Sequence, residues 1–471
     1  MKIEQIYTGC LAHAAYYVES KGEAAIFDPL REVQPYINRA KLDDAKIKYV
    51  FETHFHADFV SGHLDLKEKT GAKIVFGPTA KPNYDAIVAE DGQIFEVGDY
   101  KIKVIHTPGH TMESTTYLLI DDTGKEHGIV TGDTLFIGDV GRPDLAQKVV
   151  AELTQDKLAS LLYDSLRNKI MPLSDDLIVY PNHGAGSACG KNMSKETTDT
   201  LGNQKKTNYA LRADMTREEF IAELLDGLTE PPGYFPQNVL MNIKGYQSFD
   251  KVMDKAQNPL SPKAFEAAAN ETEAIVLDVR HQSEFIKGHI PRSIFIGIDG
   301  NFAPWVGALI VDVTQPILLV APKGREEEVV TRLSRVGFDN VIGYLDGGFE
   351  AWKSEGMEYD TLASISAEEL AKDFENKKEV IFDVRREGEY VAEHVEGAKN
   401  TQLDYLNNYL SEFPEDKTFY LHCAGGYRSV IAASILKSRG IHNLVDIAGG
   451  YAAIKKTDMP VTDYVCPSTL K

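Results

Sequence analysis

The first 200 residues contain histidines and aspartates at spacings typical of metal ligands. The segment THFHADFVSGH at 53–63 follows a short apolar run, and single polar residues follow later apolar runs in TPGHT, TGDTLF and YPNHGAG. In extended chain, residues i and i+2 point to the same side, so two histidines of the first segment can face one centre. Neutral imidazole and carboxylate are ligands for zinc and iron. The candidate ligands or near neighbours are His54, His56, Asp58, His110, Asp133 and His183.

A second candidate for chemistry is Cys423, in the segment HCAGGYRS at 422–429. The cysteine follows an apolar run and precedes a glycine turn, Arg428 and the start of a predicted helix. Backbone N–H groups and the helix dipole favour negative charge at such a place, and Arg428 adds to that field. Because the thiolate is the reactive form of cysteine, this pattern predicts a stabilised sulfur nucleophile.

The elements that must position these residues follow from the apolar periodicity. Before residue 200, short apolar runs end in polar loops that contain glycine or proline, for example AAIFDP at 24–29 and KIVFGP at 73–78. Such runs predict strands, and the candidate ligands lie at strand ends. Gly109 and Gly132 suit tight turns that leave the neighbouring side chains free to reach a shared ion.

The later part of the chain contains an internal repeat. The stretch 273–296 matches 379–402, and both carry D-V-R at the end of a predicted strand. Each copy continues with a second apolar run and a helix, and closes on a similar signature, LDGGFEAW or DIAGGYAA. Strands that alternate with helices predict parallel sheets covered on both faces, so we expect tandem α/β domains.

The first copy of the repeat lacks the cysteine. The position equivalent to Cys423 falls on Val320 or Ala321, depending on the alignment, and neither residue can carry sulfur. Three glutamates at 326–328 open the following helix and would repel an anionic substrate. This copy is therefore predicted to be inactive, with a role in docking or spacing.

Composition and charge exclude several classes of protein. The length of 471 residues suggests about three domains. The net charge of 50 − 71 = −21 disfavours binding to nucleic acid or to an anionic membrane surface. Since the four cysteines are far apart, they predict free thiols rather than a disulfide framework. With no apparent signal peptide and no long apolar run, we expect a cytoplasmic protein.

Over about residues 1–200, the ordered motifs resemble those of the metallo-β-lactamase superfamily. The resemblance implies an αββα sandwich whose metal ligands lie on loops at one edge. In that superfamily the motif H-x-H-x-D is usually followed by a histidine that helps to hold a second metal, but here the next residue is Phe59. Since phenylalanine has no donor atom, a mononuclear centre is the simpler interpretation.

Within the superfamily, the chain resembles the persulfide dioxygenases that are fused to rhodanese-like repeats. The segments ETHFHADF, GDVGRPDL and HGAGSACG carry this resemblance. It implies one Fe(II) per chain, with zinc as the alternative, held by His54, His110 and Asp133. Such a two-histidine, one-carboxylate set leaves positions open for persulfide and O₂. The neighbours that would hold waters, orient ligands or bind substrate are His56, Asp58 and His183.

Three further residues of this region have two interpretations each. Arg142 and Asp144, in GRPDL, form either an ion pair that braces the loop or, by family analogy, part of the surroundings of the iron. Cys189 follows His183 in a glycine-rich loop. It is either a buried small apolar residue or an exposed catalytic thiol that accepts or passes sulfur.

The cysteine loop, with the pattern C-x-x-G-x-R-S, resembles the active loop of rhodanese sulfurtransferases. The resemblance implies a persulfide on Cys423 and assigns Asp383 and Arg385, of the D-V-R signature, to the scaffold. The residues that would surround the persulfide are Ala424, Gly425, Gly426, Tyr427, Arg428 and Ser429.

Together these motifs predict three domains, at 1–254, 262–360 and 364–471. The predicted activity is oxidation of a small thiol persulfide by O₂ to sulfite and thiol, coupled to sulfur transfer that forms thiosulfate, in sulfide detoxification. Two alternatives stay open: a glyoxalase-II-like thioester hydrolase, and a persulfide carrier or sensor with a degenerate first domain. The expected partners are small molecules, with no nucleic acid and no membrane. The carrier thiol and the oligomeric state do not follow from the sequence, although the inactive repeat offers a surface for self-association.

Overall fold

The structure, a computed structural model, describes residues 2–145, 154–377 and 380–466. Two compact units are present: Met1–Lys251 with Ser334–Gly337, and Val252–Leu333 with Phe338–Lys471. The predicted three-domain division stays a prediction. Across the described ranges, no helix is both long enough and apolar enough to cross a membrane.

The first unit contains two six-stranded sheets. Strands β1 to β6 form the first sheet in sequence order and span Lys2–Thr8, His13–Ser20, Glu23–Phe27, Lys46–Phe51, Lys73–Phe76 and Ile87–Val88. Strands β7 to β12 form the second and span Ile94–Val97, Tyr100–His106, Thr115–Ile120, Glu126–Gly132, Ile178–Pro181 and Asp199–Thr200. Pairing is parallel from β3 to β6 and between β10 and β11, and antiparallel elsewhere.

Helices cover the outer faces of both sheets. Helices α1 to α7 span Gln34–Leu42, His63–Thr70, Gln155–Ser165, Leu201–Thr207, Arg217–Leu225, Phe235–Lys244 and Phe249–Ala256. Tyr36 of α1 and Leu66 of α2 pack on the first sheet, whereas Leu162 of α3 and Phe220 of α5 pack on the second. The predicted αββα sandwich is confirmed.

An aromatic core between the two sheets explains why they stack. The rings of Phe27 and Phe51 stack with centroids 4.9 Å apart, and Tyr117 of the second sheet lies 5.0 Å from Phe51. All three are fully buried. Because alternate residues of a strand point to opposite faces, the same strands present other apolar residues to the outer helices.

The second unit contains two parallel five-stranded sheets of the same strand order. Strands β13 to β17 span Pro259–Leu260, Ile275–Asp278, Ile294–Phe295, Ile317–Val320 and Val341–Leu345, in the order β13-β17-β16-β14-β15. Strands β18 to β22 span Ser364–Ile365, Ile381–Asp383, Lys399–Asn400, Phe419–His422 and Leu444–Ile447, in the order β18-β22-β21-β19-β20. The predicted repeat is therefore a repeat of α/β topology.

The helices of this unit alternate with its strands, as the sequence predicts, except that two helices follow one another between β18 and β19. Helices α8 to α12 span Pro262–Thr272, Gln282–Lys287, Phe302–Leu309, Glu326–Arg335 and Gly348–Ser354. Helices α13 to α17 span Ala367–Ala371, Phe374–Lys377, Glu387–Ala392, Tyr427–Ser438 and Gly450–Ile454.

Candidate metal centre and cysteine site

Three buried side chains of the first unit come together at the ends of strands. His54 follows β4, His110 follows β8 and Asp133 follows β10. One potential ligand atom from each lies within 4.8 Å of the others. The Nε2 atoms of His110 and His54 are 3.4 Å and 3.9 Å from Oδ2 of Asp133. The fold thus gathers the three residues that the resemblance implies as ligands.

The hydrogen bonds of His110 show why a cation fits this group. Nδ1 of His110 donates to the backbone oxygen of Arg142 at 2.8 Å, because a carbonyl can only accept. In neutral His110, Nε2 then carries a lone pair that faces the Asp133 carboxylate. Neither carboxylate oxygen of Asp133 has a hydrogen-bond partner among the described residues. A buried carboxylate opposite a lone pair is costly without a positive charge between them, so the cluster indicates a metal site.

The charge state of His54 also suits a ligand. Burial, together with neighbouring histidines such as His56, lowers the pKa of His54 well below its usual value. The neutral imidazole is the form that binds metal. Oγ1 of Thr53 lies 3.0 Å from Nδ1 of His54 and orients the ring.

Two glycines allow the close approach of the loops. Gly132 has φ +54°, and a Cβ there would lie 2.6 Å from Cβ of Thr53. A Cβ on Gly141 would lie 2.2 Å from the backbone oxygen of Asp133 and 2.8 Å from Nδ1 of His110. A side chain at either position would therefore push the ligand-bearing loops apart.

His56 belongs to a different group from His54, contrary to the expectation that both face one centre. Its Nε2 lies 2.9 Å from Oδ1 of Asp28 and 3.2 Å from Oε2 of Glu52. Burial opposes a charge on His56, but the two carboxylates outweigh it and raise the pKa of His56 well above its usual value. The i, i+2 argument fails because β4 ends at Phe51, before either histidine.

Phe59, which occupies the place of the superfamily's usual histidine, is fully buried. Its ring stacks on His56 with centroids 4.2 Å apart and lies 4.3 Å from the ring of His13. It forms an apolar wall beside the histidines and supplies no donor.

A second group of donors lies beside the first. Asp58, His183 and Cys189 are buried, with one potential ligand atom from each within 4.8 Å of the others. Nε2 of His183 is 3.5 Å from Oδ2 of Asp58 and 3.6 Å from Oδ1 of Asp133. The two groups therefore meet at Asp133, which presents one oxygen to each.

Cys189 is buried rather than exposed, so the structure favours the first of its two interpretations for the free protein. Its side chain is 1 % exposed. Burial, and then the negative charges of Asp58 and Asp133, raise the pKa of Cys189 well above its usual value. The thiol is held neutral although it lies next to the candidate metal group.

Arg142 and Asp144 form a buried bidentate ion pair. Nε and Nη2 of Arg142 donate to the two oxygens of Asp144, each at 2.6 Å. The guanidinium also donates to the backbone oxygens of Ala188, at 3.4 Å, and Thr229. The pair braces the loop that carries Cys189, and the backbone of Arg142 also touches a candidate ligand through its bond with His110.

In the second unit, Cys423 directly follows β21 and lies at the amino end of α16. Gly426 has φ +95°, and its N–H donates to Sγ of Cys423 at 3.1 Å. The sulfur therefore lies beside a backbone donor and at a helix amino terminus. Cys423 is 1 % exposed, so a sulfur species on it would be shielded from bulk water.

The neighbours of Cys423 carry further charge. Arg428 forms a bidentate pair with Glu389, at 2.6 Å and 2.8 Å, so its charge is partly compensated. Oγ of Ser429 donates to Oδ1 of Asp446 at 2.6 Å. Gly425 is exposed and Ala424 is half-buried, which leaves the turn as the accessible side of the cysteine.

The D-V-R signatures form equivalent ion pairs in both repeats. Nη2 of Arg385 donates to Asp383 at 2.6 Å, and Arg280 makes the same pair with Asp278 at 2.5 Å. Each arginine also donates to a backbone oxygen eight residues later, at 2.8 Å and 2.9 Å respectively. These contacts brace the sheet ends.

Strand register resolves the alignment of the two loops. Asp278 pairs with Val320 in the first repeat, as Asp383 pairs with His422 in the second. Ala321 is therefore the equivalent of Cys423. Three residues later, Gly324 has φ +82° where Gly426 has φ +95°. The turn is retained in the first repeat and the sulfur is absent.

Sequence reasoning missed the acidic partners of these sites. Asp28 binds the backbone N–H of Thr53 at 2.7 Å as well as His56, and Glu52 accepts from Ser61 at 2.6 Å. A usable pattern existed: Asp28 directly follows an apolar strand, β3, as Asp133 directly follows β10. Glu389, the partner of Arg428, gave no comparable pattern.

Two protein families match separate parts of the chain. The metallo-beta-lactamase superfamily profile matches residues 8–183. The rhodanese-like domain profile matches twice, at residues 261–355 and 366–457.

Individual relatives agree with the profiles. A crystal structure of a metallo-beta-lactamase from Staphylococcus aureus is 31 % identical, with a TM-score of 0.63, over 73 % of this chain and 98 % of that chain. Hydroxyacylglutathione hydrolase GloC of Haemophilus influenzae is 27 % identical over 41 % of this chain and 90 % of its own length. Hydroxyacylglutathione hydrolase of Rhizobium etli is 36 % identical, but the chain spans only 56 % of its length.

Proposed function

This chain belongs to the metallo-β-lactamase superfamily and continues into two rhodanese-like domains, and we propose that it is an iron-dependent persulfide dioxygenase with a coupled sulfurtransferase site. The substrate would be the persulfide of a small thiol. Cys423 would be the sulfur-carrying residue of the second activity.

The observation that carries the proposal is the donor set at the first site. Two imidazoles and one carboxylate, from His54, His110 and Asp133, face one point, while Nε2 of His56 is engaged by Asp28 and Glu52. A face of two histidines and one carboxylate is the set of non-haem Fe(II) oxygenases. When bound, the ferrous ion would supply a redox-active centre with positions open to sulfur and O₂.

The overall reaction balances without a further reductant. One persulfide, one O₂ and one water give one thiol and one sulfurous acid, which ionises to sulfite: RSSH + O₂ + H₂O → RSH + H₂SO₃. The outer sulfur is oxidised and O₂ is the oxidant. The chain's own contribution is to orient His110 through Arg142, and to line the neighbouring space with Asp58, His183 and Cys189.

The second reaction would consume the sulfite. Cys423 would first attack the outer sulfur of a small-thiol persulfide, whose S–S bond breaks and releases the small thiol. Sulfite then attacks the outer sulfur of the Cys423 persulfide, so an S–S bond forms in thiosulfate and the Cys423 S–S bond breaks. The electron pair returns to Sγ of Cys423, where the N–H of Gly426 stabilises the leaving thiolate.

The test is O₂ uptake by the purified full chain loaded with Fe(II) and given glutathione persulfide. We expect uptake in the wild type, its loss in His54→Ala and His110→Ala, and retention in Cys423→Ser. Thiosulfate formation from added sulfite should be lost in Cys423→Ser alone. No O₂ uptake by protein shown to contain iron would refute the dioxygenase.

A second candidate is hydrolysis of a glutathione thioester, which the names of two relatives favour. In that case a metal would activate water for attack on a carbonyl. The second donor group at Asp58 and His183 is compatible with it, whereas Phe59 is not a ligand. Two metals per chain and thioester cleavage without O₂ would support hydrolysis; one iron and O₂ uptake would support oxidation.

The third possibility is a persulfide carrier or sensor in which only Cys423 reacts. A His54→Ala protein that kept every activity of the wild type would favour it.

A further inference from the structure

Tyr427, the first residue of α16, places its side chain against the first rhodanese repeat. Its Oη donates to the backbone oxygen of Gly297 at 2.7 Å. Its ring meets Phe295 edge to face, with centroids 6.0 Å apart. Both contacts are made across the second unit by a residue of the C-x-x-G-x-R-S loop, so the turn that holds Cys423 is anchored outside its own sheet.

Gly300 completes the surface that receives the tyrosine. A Cβ on Gly300 would lie 2.3 Å from Cζ and 2.6 Å from Oη of Tyr427. The φ of Gly300 is not in the left-handed region, so its backbone accepts other residues. The three atoms nearest to that Cβ all belong to the side chain of Tyr427, which is close enough to exclude a side chain at residue 300.

The 297–300 loop is held firmly by the first repeat itself. Nη1 of Arg332 donates to the backbone oxygen of Ile298 at 2.7 Å. Nη1 of Arg325 donates to Asp299, also at 2.7 Å. Arg325 stands four residues after Ala321, as Tyr427 stands four residues after Cys423. Thus the degenerate loop and the cysteine loop contact the same short segment.

Later turns of α16 continue the contact with the first repeat and the segment that follows it. The backbone N–H of Phe295 donates to Oγ of Ser434 at 2.9 Å. Lys437 pairs with Asp360 at 2.7 Å and donates to the backbone oxygen of Thr361 at 2.8 Å. Polar contacts at Tyr427, Ser434 and Lys437 therefore fix the helix along most of its length.

We propose that the first rhodanese repeat is a working part of the Cys423 site: its 297–300 loop fixes Tyr427, and Tyr427 fixes the turn in which the N–H of Gly426 faces the sulfur. Tyr427 and Gly300 are positioning residues, since neither touches the reacting sulfur. The inference rests on the proposed sulfur chemistry of Cys423. It assigns the first rhodanese repeat, which lacks the cysteine, a role within this chain rather than in binding a partner.

The test compares Gly300→Ala and Tyr427→Phe with the wild type in the full chain. The measurement is the rate at which iodoacetamide alkylates Cys423 at neutral pH, located by peptide mass spectrometry. Gly300→Ala should slow alkylation about tenfold, which is ~1.4 kcal/mol, the order expected for one hydrogen bond to a charged group. Tyr427→Phe should slow it less, because the ring stays in place.

The matched control is Gly388→Ala, where an added methyl meets nothing within 4 Å. In this control variant, Cys423 should be alkylated at the wild-type rate. A double variant separates positioning from general destabilisation: on a Tyr427→Ala background, Gly300→Ala should cause no further slowing, because the clash has been removed.

The inference is overturned if Cys423 is alkylated at the wild-type rate in both Gly300→Ala and Tyr427→Phe. It is also overturned if Gly300→Ala slows alkylation equally with and without the tyrosine ring. If Cys423 of the wild type is alkylated but the protein forms no thiosulfate, the proposed function is contradicted. The effect of the variants on alkylation would still test the positioning role. If Gly300→Ala fails to fold, Tyr427→Phe decides alone.

Discussion

Nδ1 of His110 lies 2.8 Å from the backbone oxygen of Arg142, and the backbone N–H of Arg142 donates to the oxygen of Cys189 at 3.0 Å. One peptide segment therefore joins a candidate metal ligand to the loop that carries a buried thiol. A disturbance of this segment should therefore affect both the candidate ligand and the thiol loop.

Gly141→Ala should weaken metal binding although residue 141 offers no ligand atom. The added methyl would lie 2.2 Å from the backbone oxygen of Asp133 and 2.8 Å from Nδ1 of His110. Displacing the groups that orient a ligand typically costs about 10- to 100-fold in metal affinity. Iron titration of the apoprotein measures it. Gly233→Ala, whose methyl meets nothing within 4 Å, should bind as the wild type does; equal affinities for the two variants would contradict the prediction.

Arg142→Met should destabilise the first unit by about 3–5 kcal/mol, because it leaves the carboxylate of Asp144 buried without its partner. Combining it with Asp144→Leu should recover much of the loss, since no charge is then stranded. Chemical denaturation of the wild type, the two single variants and the double variant completes a double-mutant cycle. Purely additive effects of the two substitutions would show that the pair is not coupled.

Cys189 should resist alkylation at neutral pH in the free protein. Burial and two nearby carboxylates raise the pKa of its thiol, and the neutral thiol is a poor nucleophile. Reaction should appear only as the pH is raised. Peptide mass spectrometry after iodoacetamide treatment compares it with Cys466, which is exposed. Modification of both at equal rates near neutral pH would show that Cys189 is accessible and ionised.

Asp446→Asn should remove a pH dependence of stability. Burial raises the pKa of Asp446 to about 6, above its usual value of 3.8. The folded state thus holds the proton of Asp446 more tightly than the unfolded state. The resulting stabilisation of the folded state is fully present below pH 3.8 and is lost as pH rises through about 6. The difference is about 2–3 kcal/mol.

The measurement for this prediction is the denaturation midpoint of wild type and Asp446→Asn across that pH range. The wild type should lose stability relative to the variant as pH rises. A constant difference between the two proteins would mean that Asp446 titrates alike in both states.

Much of the fold follows from the sequence, because strand ends and ligand motifs coincide. His110 and Asp133 each follow an apolar run, and the runs that precede them become β8 and β10. The repeat of D-V-R likewise places Asp278 and Asp383 at the same point of two equal sheets. Periodicity is enough for these features, since they depend on local pattern.

The partners of His56 could not be predicted in the same way. The strand periodicity assumed for His54 and His56 ends at Phe51, and beyond it the direction of each ring depends on what packs around it. Asp28, far earlier in the chain, supplies the decisive acceptor. The burial of Cys189 has the same origin, because Arg142 covers its loop from another segment. The position of Asp28 after β3 marks it as a candidate, but local spacing does not say which histidine it contacts.

The matching turns at Gly324 and Gly426 give the molecule an internal control. One chain carries the same bend twice, with Cys423 in one copy and Ala321 in the other, at the same concentration and in the same solution. A reagent that recognises the bend alone should mark both copies, whereas a reagent for sulfane sulfur should mark one. A reaction found at Cys423 and absent at Ala321 is then assigned to the sulfur atom and not to the turn.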